Sequence, residues 1–523
     1  MLKSSGSMAF ATLTSRLLGM VREIVYARFM GDGWVAAAFQ VAFTIPNLFR
    51  RLLGEGALTA AFIPVFKEKE KLAGEKEMWR AANAVISGLI ISASIIIVLV
   101  LIGISIVLGV HQFSAQTDLM LRLLRWMFPY MLLVCLAAAC MGMLNARGHF
   151  FIPAMGATML NVVMIASVLF VAPHWGKVLH EQIFALALGV LVAGVAQAAF
   201  QMPTLLHDGF RYRWVSPWKN ETVQRVVRQM IPGALGVAAF QINVAIIQFL
   251  GLWLDRPEQP LIAPFNYAVR LMELPQGVFG ISLATFLLPT LAGLAAEKNY
   301  GEFRKTLRHG MAYLIFVNLL MTVLLITLAE PIIRLLFERG KFDHGSTLRA
   351  TFALECLAGS LVAYSLVNIL ARAFYALGDT KTPMKVSLVC LGLNLILSIS
   401  LVFVFRQGGL GLANTVSSLI NVLLLLYALK KKLGKLELKP LKSTILPLGV
   451  AVGIATGIAL LTSRWWETRA PFAGFEFKLG AVFVPGALAG IAYWIIAYGL
   501  KVPAAKEISD LIFGRFLKSK TRS

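Results

Sequence analysis

Several ionisable residues lie inside stretches that are otherwise apolar: Arg16, Arg22, Glu23 and Arg28 in the first, Arg50, Arg51 and Glu55 in the second, and Arg270 and Glu273 in a later one. An arginine at the centre of a bilayer costs about 2.5–3.5 kcal/mol on insertion scales. Four of them facing lipid would cost on the order of 10 kcal/mol, comparable to the stability of a whole domain. Such side chains must face protein or a water-filled cavity, and they are functional candidates by default. Formal charge narrows the chemistry. Arg16, Arg22, Arg50 and Arg270 against Glu23 and Glu273, four positive and two negative, leave a surplus of +2. Guanidinium in excess suits an anion with planar, multidentate oxygens, above all a phosphate or diphosphate, and repels a cationic drug. Local pairing competes with this reading at some positions. Arg51 and Glu55 are i,i+4 partners and Arg270 and Glu273 are i,i+3, while Arg28, near the end of its stretch, can snorkel to the interface. Arg270 and Glu273 also sit beside Pro275 and Gly277. A helix break at membrane depth is tolerated where the backbone lines a cavity, which favours a functional Arg270.

The elements that must position these charges are membrane-spanning helices. Of 523 residues, 58% are hydrophobic and 14% charged, where a soluble chain carries about a quarter charged. The runs from Ala84 to Val110, Val386 to Phe405 and Leu479 to Leu500 reach or approach the roughly 20 residues a helix needs to cross about 30 Å of hydrocarbon. No period-two alternation of barrel type is present. Spans are expected near residues 20, 50, 95, 132, 164, 192, 238, 278, 320, 362, 395, 420, 452 and 489. The fold class is therefore an all-α membrane protein of about fourteen transmembrane helices. The first stretch, with Arg16 and Arg22 inside it, reads as a retained span and not as a signal peptide. Cys135, Cys140, Cys356 and Cys390 all fall in apolar segments, so no disulfide or metal site is expected.

A net charge of +23 on a soluble protein would point to nucleic acid. Here the basic residues gather in alternate polar connections: 67–80, 211–228, 298–308, 381–385, 430–442 and the tail 501–522. Connections at 31–33, 111–118, 173–180, 255–260 and 464–478 carry few. The positive-inside rule makes the first set cytoplasmic, puts both termini in the cytoplasm and removes nucleic acid as a partner.

The two halves of the chain look alike. Ala57-Leu-Thr-Ala-Ala-Phe-Ile-Pro64 resembles Ile281-Ser-Leu-Ala-Thr-Phe-Leu-Leu-Pro289, and Asn145-Ala-Arg-Gly148 with Pro153 resembles Tyr375-Ala-Leu-Gly378 with Pro383. An even repeat of about six spans gives two parallel, pseudo-symmetric lobes around a central cavity. The expected organisation is a six-helix lobe at 1–218, a second at 219–440, and two further helices with a basic cytoplasmic tail at 441–523. Polar residues at membrane depth in the second half are neutral: Asn368, Asn394, Ser398, Asn414 and Ser418. That asymmetry suggests a headgroup site in the first half and a more apolar groove in the second. The seven histidines are scattered, with no H-E-x-x-H or D-D-x-x-D, so neither catalytic residues nor a cofactor are expected.

Ser15-Arg16-Leu-Leu-Gly19 with Arg22-Glu23, Ala42-Phe-Thr-Ile-Pro46-Asn47-Leu-Phe-Arg50-Arg51 and Glu55-Gly56-Ala57 resemble the MurJ (MviN) family. So do Tyr267-Ala268, Arg270-Leu-Met-Glu273-Leu-Pro275, Gly277-Val-Phe-Gly280, Gly340-Lys341-Phe342 and Phe374-Tyr-Ala-Leu-Gly378-Asp379-Thr-Lys381-Thr-Pro383. The resemblance runs over nearly the whole chain. It implies a bacterial lipid II flippase of the multidrug/oligosaccharidyl-lipid/polysaccharide exporter superfamily, with two six-span lobes and two extra helices in the cytoplasmic (inner) membrane. By the same resemblance Arg16, Arg22, Arg50 and Arg270 are cavity arginines that hold the diphosphate, Glu273 is an acidic cavity position, and Glu23 and Asn47 join the substrate-binding set. The implied partners are lipid II and membrane lipids, with cell-wall synthesis machinery as a further candidate. An exporter of another polyprenyl-diphosphate-linked oligosaccharide is the alternative. Two positions depart from the pattern: Ala37 and Val269 stand where relatives commonly carry Asp. Asn394, Ser398 and Asn414 resemble the sodium site of some relatives, but a hard cation prefers carboxylate oxygens and none is present, so sodium coupling is not inferred from them.

Overall fold

A computed structural model describes residues 2–50, 58–218, 220–256, 258–436, 439–469 and 474–510. These residues form helices and connections that fall into two compact units. The first comprises Met1–Ala263 together with Arg339–Phe342. It contains α1 (Leu2–Met30), α2 (Trp34–Phe49), α3 (Thr59–Val110), α4 (Ala115–Met127), α5 (Tyr130–Ala146), α6 (Phe151–Ala166), α7 (Ala172–Trp175), α8 (Leu179–His207) and α9 (Glu221–Leu254). The second takes the remainder, with α10 (Ile262–Pro275), α11 (Ser282–Ala296), α12 (Tyr300–Thr327), α13 (Ala329–Leu336), α14 (His344–Ala358), α15 (Ser360–Ala376), α16 (Lys381–Leu433), α17 (Lys439–Arg469) and α18 (Phe475–Gly499).

Eight helices are long and apolar enough to cross a membrane among the described residues, or ten if each bent pair counts as one span. The molecule is thus an all-α membrane protein. Two elements carry more than one segment. Helix α3 runs through the polar stretch 67–80, read from sequence as a connection, and changes direction at Gly74, whose φ of 83° breaks the helical path. Helix α16 breaks at Arg406 (φ 51°). Its arms, 381–405 and 407–433, each suffice for about 30 Å of hydrocarbon.

The duplication read from sequence has counterparts in local geometry. Helices α4 and α5 form a span bent by 43°, and α14 and α15 one bent by 42°. Both second arms end in the same way. Gly148 takes φ 92° and Gly378 φ 72°, and the next amide reaches back to the helix, His149 N–H to the Leu144 carbonyl at 2.9 Å and Asp379 N–H to the Phe374 carbonyl at 2.9 Å. This is the Schellman ending, which needs glycine at the left-handed position.

Between helices in lipid the hydrophobic effect offers little, so small residues that permit close backbone approach decide the pairing. On α17, Ala451, Ala455 and Ala459 recur every four residues and are fully buried, as are Ala489, Tyr493 and Ala497 on α18. Tyr493 places its hydroxyl on the Phe316 carbonyl of α12 at 2.9 Å, satisfying the one polar atom it buries. In the first unit the core gathers Phe62, Phe66 and Trp79 of α3 with Met143 of α5 and Phe210.

Candidate substrate site

Helix α1 lies against α6, and Asn161 Nδ2 donates to the Ser15 carbonyl at 3.2 Å. Gly19 faces Asn161, where a side chain would have to fit beside that amide. This contact brings the arginine-bearing stretch of α1 into the unit. Arg16 is half-buried. Arg22 and Glu23 are buried, and Arg22 Nη2 meets Glu23 Oε1 at 2.5 Å. Arg22 Nε is also buried and has no acceptor among the described residues. The guanidinium carbon stands 5.4 Å from the Tyr26 ring centre, within cation–π range. From Tyr26 an aromatic series continues edge-on to Phe39 (5.8 Å), stacked to Phe43 (6.2 Å) and on to Tyr130 of α5 (6.3 Å). Tyr130 closes it by donating to Gln197 Oε1 of α8 at 3.3 Å. Rings spaced in this way fix the Arg22–Glu23 pair against a rigid wall.

On α2, Arg50 Nε donates to Asn47 Oδ1 at 2.7 Å, so a neutral amide sets the direction of the guanidinium. Pro46 lies inside this helix and deprives the carbonyl one turn back of its partner. The expected Arg51–Glu55 pair and the Gly56-Ala57 part of the motif lie outside the described residues. Ala37 is fully buried, so an acid there would need a partner inside the protein.

In the second unit Arg270 Nη1 pairs with Glu273 Oε2 at 2.8 Å, with both side chains partly exposed (37% and 43%). Val269 beside them is half-buried. Immediately after Pro275 the helix widens into a π-helical turn over Gln276–Ile281 before α11 resumes. In place of the break expected from Pro275 and Gly277 the helix is widened and runs on through 262–296, and such turns concentrate at functional sites. The two units thus divide the set: Arg16, Arg22, Glu23, Asn47 and Arg50 in the first, Arg270 and Glu273 in the second.

Of the neutral residues of the second half, Asn394 and Asn414 hydrogen-bond each other. Asn414 Oδ1 accepts from Asn394 Nδ2 (3.2 Å) and the Tyr364 hydroxyl (3.1 Å), and Asn394 also donates to Ser417 Oγ (3.1 Å). Asn368 donates to the Tyr364 carbonyl, and Ser418 to that of Thr415. Ser398 Oγ is buried without a partner among the described residues. No group of three or more His, Cys, Asp or Glu able to hold a metal occurs among the described residues.

Three motif residues have structural roles that sequence reasoning did not assign. Gly340 and Gly31, both with φ near 60°, let the 339–342 segment lie on the end of α1. Lys341 N–H donates to the Arg28 carbonyl at 3.1 Å, a methyl on Gly340 would collide with that carbonyl, and one on Gly31 would stand 2.6 Å from the Lys341 carbonyl. Asp379 accepts from Thr382 N–H (3.0 Å) at the start of α16 and from Lys432 Nζ (2.8 Å) near its end, stapling the two arms. Those partners, Lys432 first, hold its carboxyl at a pKa of about 2, below the usual 3.8.

A family model described as lipid II flippase MurJ matches residues 26–479. A probable lipid II flippase MurJ from Bdellovibrio bacteriovorus is 34% identical over 514 residues, covering 95% of this chain and 94% of that protein. Among solved structures, a lipid II flippase MurJ in an inward closed conformation superposes with a TM-score of 0.76 at 22% identity, over 94% of this chain and 99% of that one. An inward-facing multidrug resistance MATE family transporter of the MOP superfamily gives a TM-score of 0.63 at 14% identity, over 81% of this chain and 99% of that one.

Proposed function

The chain belongs to the lipid II flippase MurJ family, and from that premise we propose that it carries lipid II, a polyprenyl-diphosphate-linked muropeptide, from the cytoplasmic to the outer leaflet of a bacterial inner membrane. The observation that carries this reading is the family match over residues 26–479, which takes in most of the candidate set. Arg16, Arg22, Arg50 and Arg270 bind the diphosphate, whose oxygens match the guanidinium fork. Glu23 and Glu273 hold Arg22 and Arg270 in place, and Asn47 aims Arg50. Transport proceeds by alternating access of two six-helix lobes, 1–218 and 219–440, with the helices from 441 onward as an added pair. Both termini lie in the cytoplasm, as the charge of the connections requires. The membrane potential acts on the +2 surplus at about 2.3 kcal/mol per charge per 100 mV, without any ion site. Membrane lipids, and cell-wall synthesis machinery, are the remaining proposed partners.

The test is complementation in a bacterium depleted of its own lipid II flippase, at matched membrane abundance. The wild type is expected to restore growth, and Arg16→Ala, Arg22→Ala, Arg50→Ala and Arg270→Ala to fail. A wild type that inserts yet leaves lipid II inside would move the reading to another polyprenyl-diphosphate-linked oligosaccharide.

A further inference from the structure

The first unit carries a concavity that Arg16, Arg22 and Arg50 do not line. An open cleft of about 720 Å3 is formed by Trp34 at the start of α2, Asp118 and Arg122 on α4, Trp175 on α7, and His180 and Glu181 in the first turn of α8. Small-molecule sites run from about 300 to 1,000 Å3, so it has room for a ligand of several rings. On the charge reading of the connections, all of these segments border the outer face.

Its polar groups are held in place before any ligand arrives. Arg122 Nε donates to Asp118 Oδ2 one turn earlier at 2.7 Å. The turn between α7 and α8 is closed from both sides: Lys177 N–H donates to Glu181 Oε2 at 3.1 Å, and Gln182 Nε2 donates to the Gly176 carbonyl at 3.0 Å. A methyl at Gly176 would stand 2.6 Å from the Glu181 side chain, so the turn that presents Trp175 and Glu181 requires glycine there. Preorganisation of this kind lowers the ordering cost of binding.

Charge sets the cleft apart from a phosphate site. Asp118 and Glu181 against Arg122, two negative and one positive, leave −1 with His180 neutral, and a diphosphate would be repelled. What remains is two indoles beside carboxylate, guanidinium and imidazole groups. The electron-rich face of an indole accepts the C–H face of a pyranose ring, and planar polar side chains bond sugar hydroxyls as donors and acceptors at once. We propose that this cleft is a binding site for a short neutral saccharide. Two sources share that chemistry: the sugar of a lipid-linked headgroup delivered to the outer leaflet, or a soluble saccharide outside the cell. The first source rests on the flippase reading; the site itself does not.

The test uses the full-length protein in nanodiscs of zwitterionic phospholipid, titrated calorimetrically with N,N′-diacetylchitobiose. Saturable binding is expected. Trp34→Ala and Trp175→Ala should weaken it by at least about tenfold, Trp175→Phe should retain most of it, and Arg270→Glu should leave it unchanged even where transport is lost. An undecaprenyl-linked disaccharide in the nanodisc that displaces chitobiose assigns the headgroup as the source; failure to displace it assigns the soluble saccharide. Aromatic residues near a bilayer surface also anchor to lipid. Absence of saturable chitobiose binding, or equal binding by wild type and both tryptophan variants, would overturn the proposal and leave the indoles as interface anchors.

Discussion

Arg22 and Glu23 are sequence neighbours, and adjacent residues on a helix do not face one another. They nevertheless meet at 2.5 Å, both side chains being buried, with the Arg22 guanidinium also against the Tyr26 ring. Removing one partner of a buried pair costs about 3–5 kcal/mol, mostly for the charge left behind. Glu23→Ala is therefore expected to lower the melting temperature clearly. The double variant Arg22→Ala/Glu23→Ala should lose less than the two single variants added together, which thermal melts of all three would reveal. Asn47→Ala removes a charge-assisted hydrogen bond worth about 1.5–3 kcal/mol from Arg50 but leaves the guanidinium. Diphosphate binding should fall less than in Arg50→Ala, measured with undecaprenyl diphosphate in nanodiscs. At this scale the sequence was informative about residue type, since an arginine in an apolar run is expensive wherever it points. It was silent about partners: the Arg22–Glu23 contact and the aromatic series from Tyr26 to Tyr130 depend on how α1, α2 and α5 pack.

At the scale of elements, glycine positions divide into two kinds. Gly148 takes φ 92° with nothing near a would-be methyl, whereas Gly340 combines φ 61° with a collision against the Arg28 carbonyl. Gly148→Ala should cost the backbone strain alone, about 1–2 kcal/mol. Gly340→Ala should cost more and loosen the seat of the 339–342 segment, readable as faster amide exchange at Lys341. The staple on α16 carries a pH dependence. Asp379 has its pKa lowered to about 2, so its contribution is complete above the ordinary value of 3.8 and fades as pH falls from there through about 2. Asp379→Asn should thus melt below the wild type at pH 7, with the difference narrowing beneath about pH 4. Apolar run length made the helical membrane class legible, though eight spans, or up to ten, meet the length test among the described residues where about fourteen were expected. The repeated Gly148 and Gly378 marked two helix ends that close in the same way. The polar stretch 67–80 read as a connection holds the kink at Gly74, and helical residues run up to it from both sides, which its polarity alone did not foretell. The docking of Gly340 on α1 joins positions about three hundred residues apart and has no local signal.

For the molecule as a whole, length, hydropathy and the alternation of charged connections settle the class, because a bilayer permits few backbone solutions. The repeated motifs have a local counterpart in the two bent helix pairs, at 43° and 42°. Cavity shape was not legible: the cleft at Trp34 and Trp175 draws on four helices, and each of its residues taken singly reads as surface. The central claim is that arginines on a membrane-embedded scaffold move a lipid diphosphate. Its most direct test is reconstitution into vesicles containing lipid II, with a membrane-impermeant reagent that modifies only headgroups in the outer leaflet. The wild type should expose nearly the whole lipid II pool while Arg270→Glu, inserted equally well, leaves the inner leaflet protected. Equal exposure by both proteins, or none by the wild type, would contradict the account.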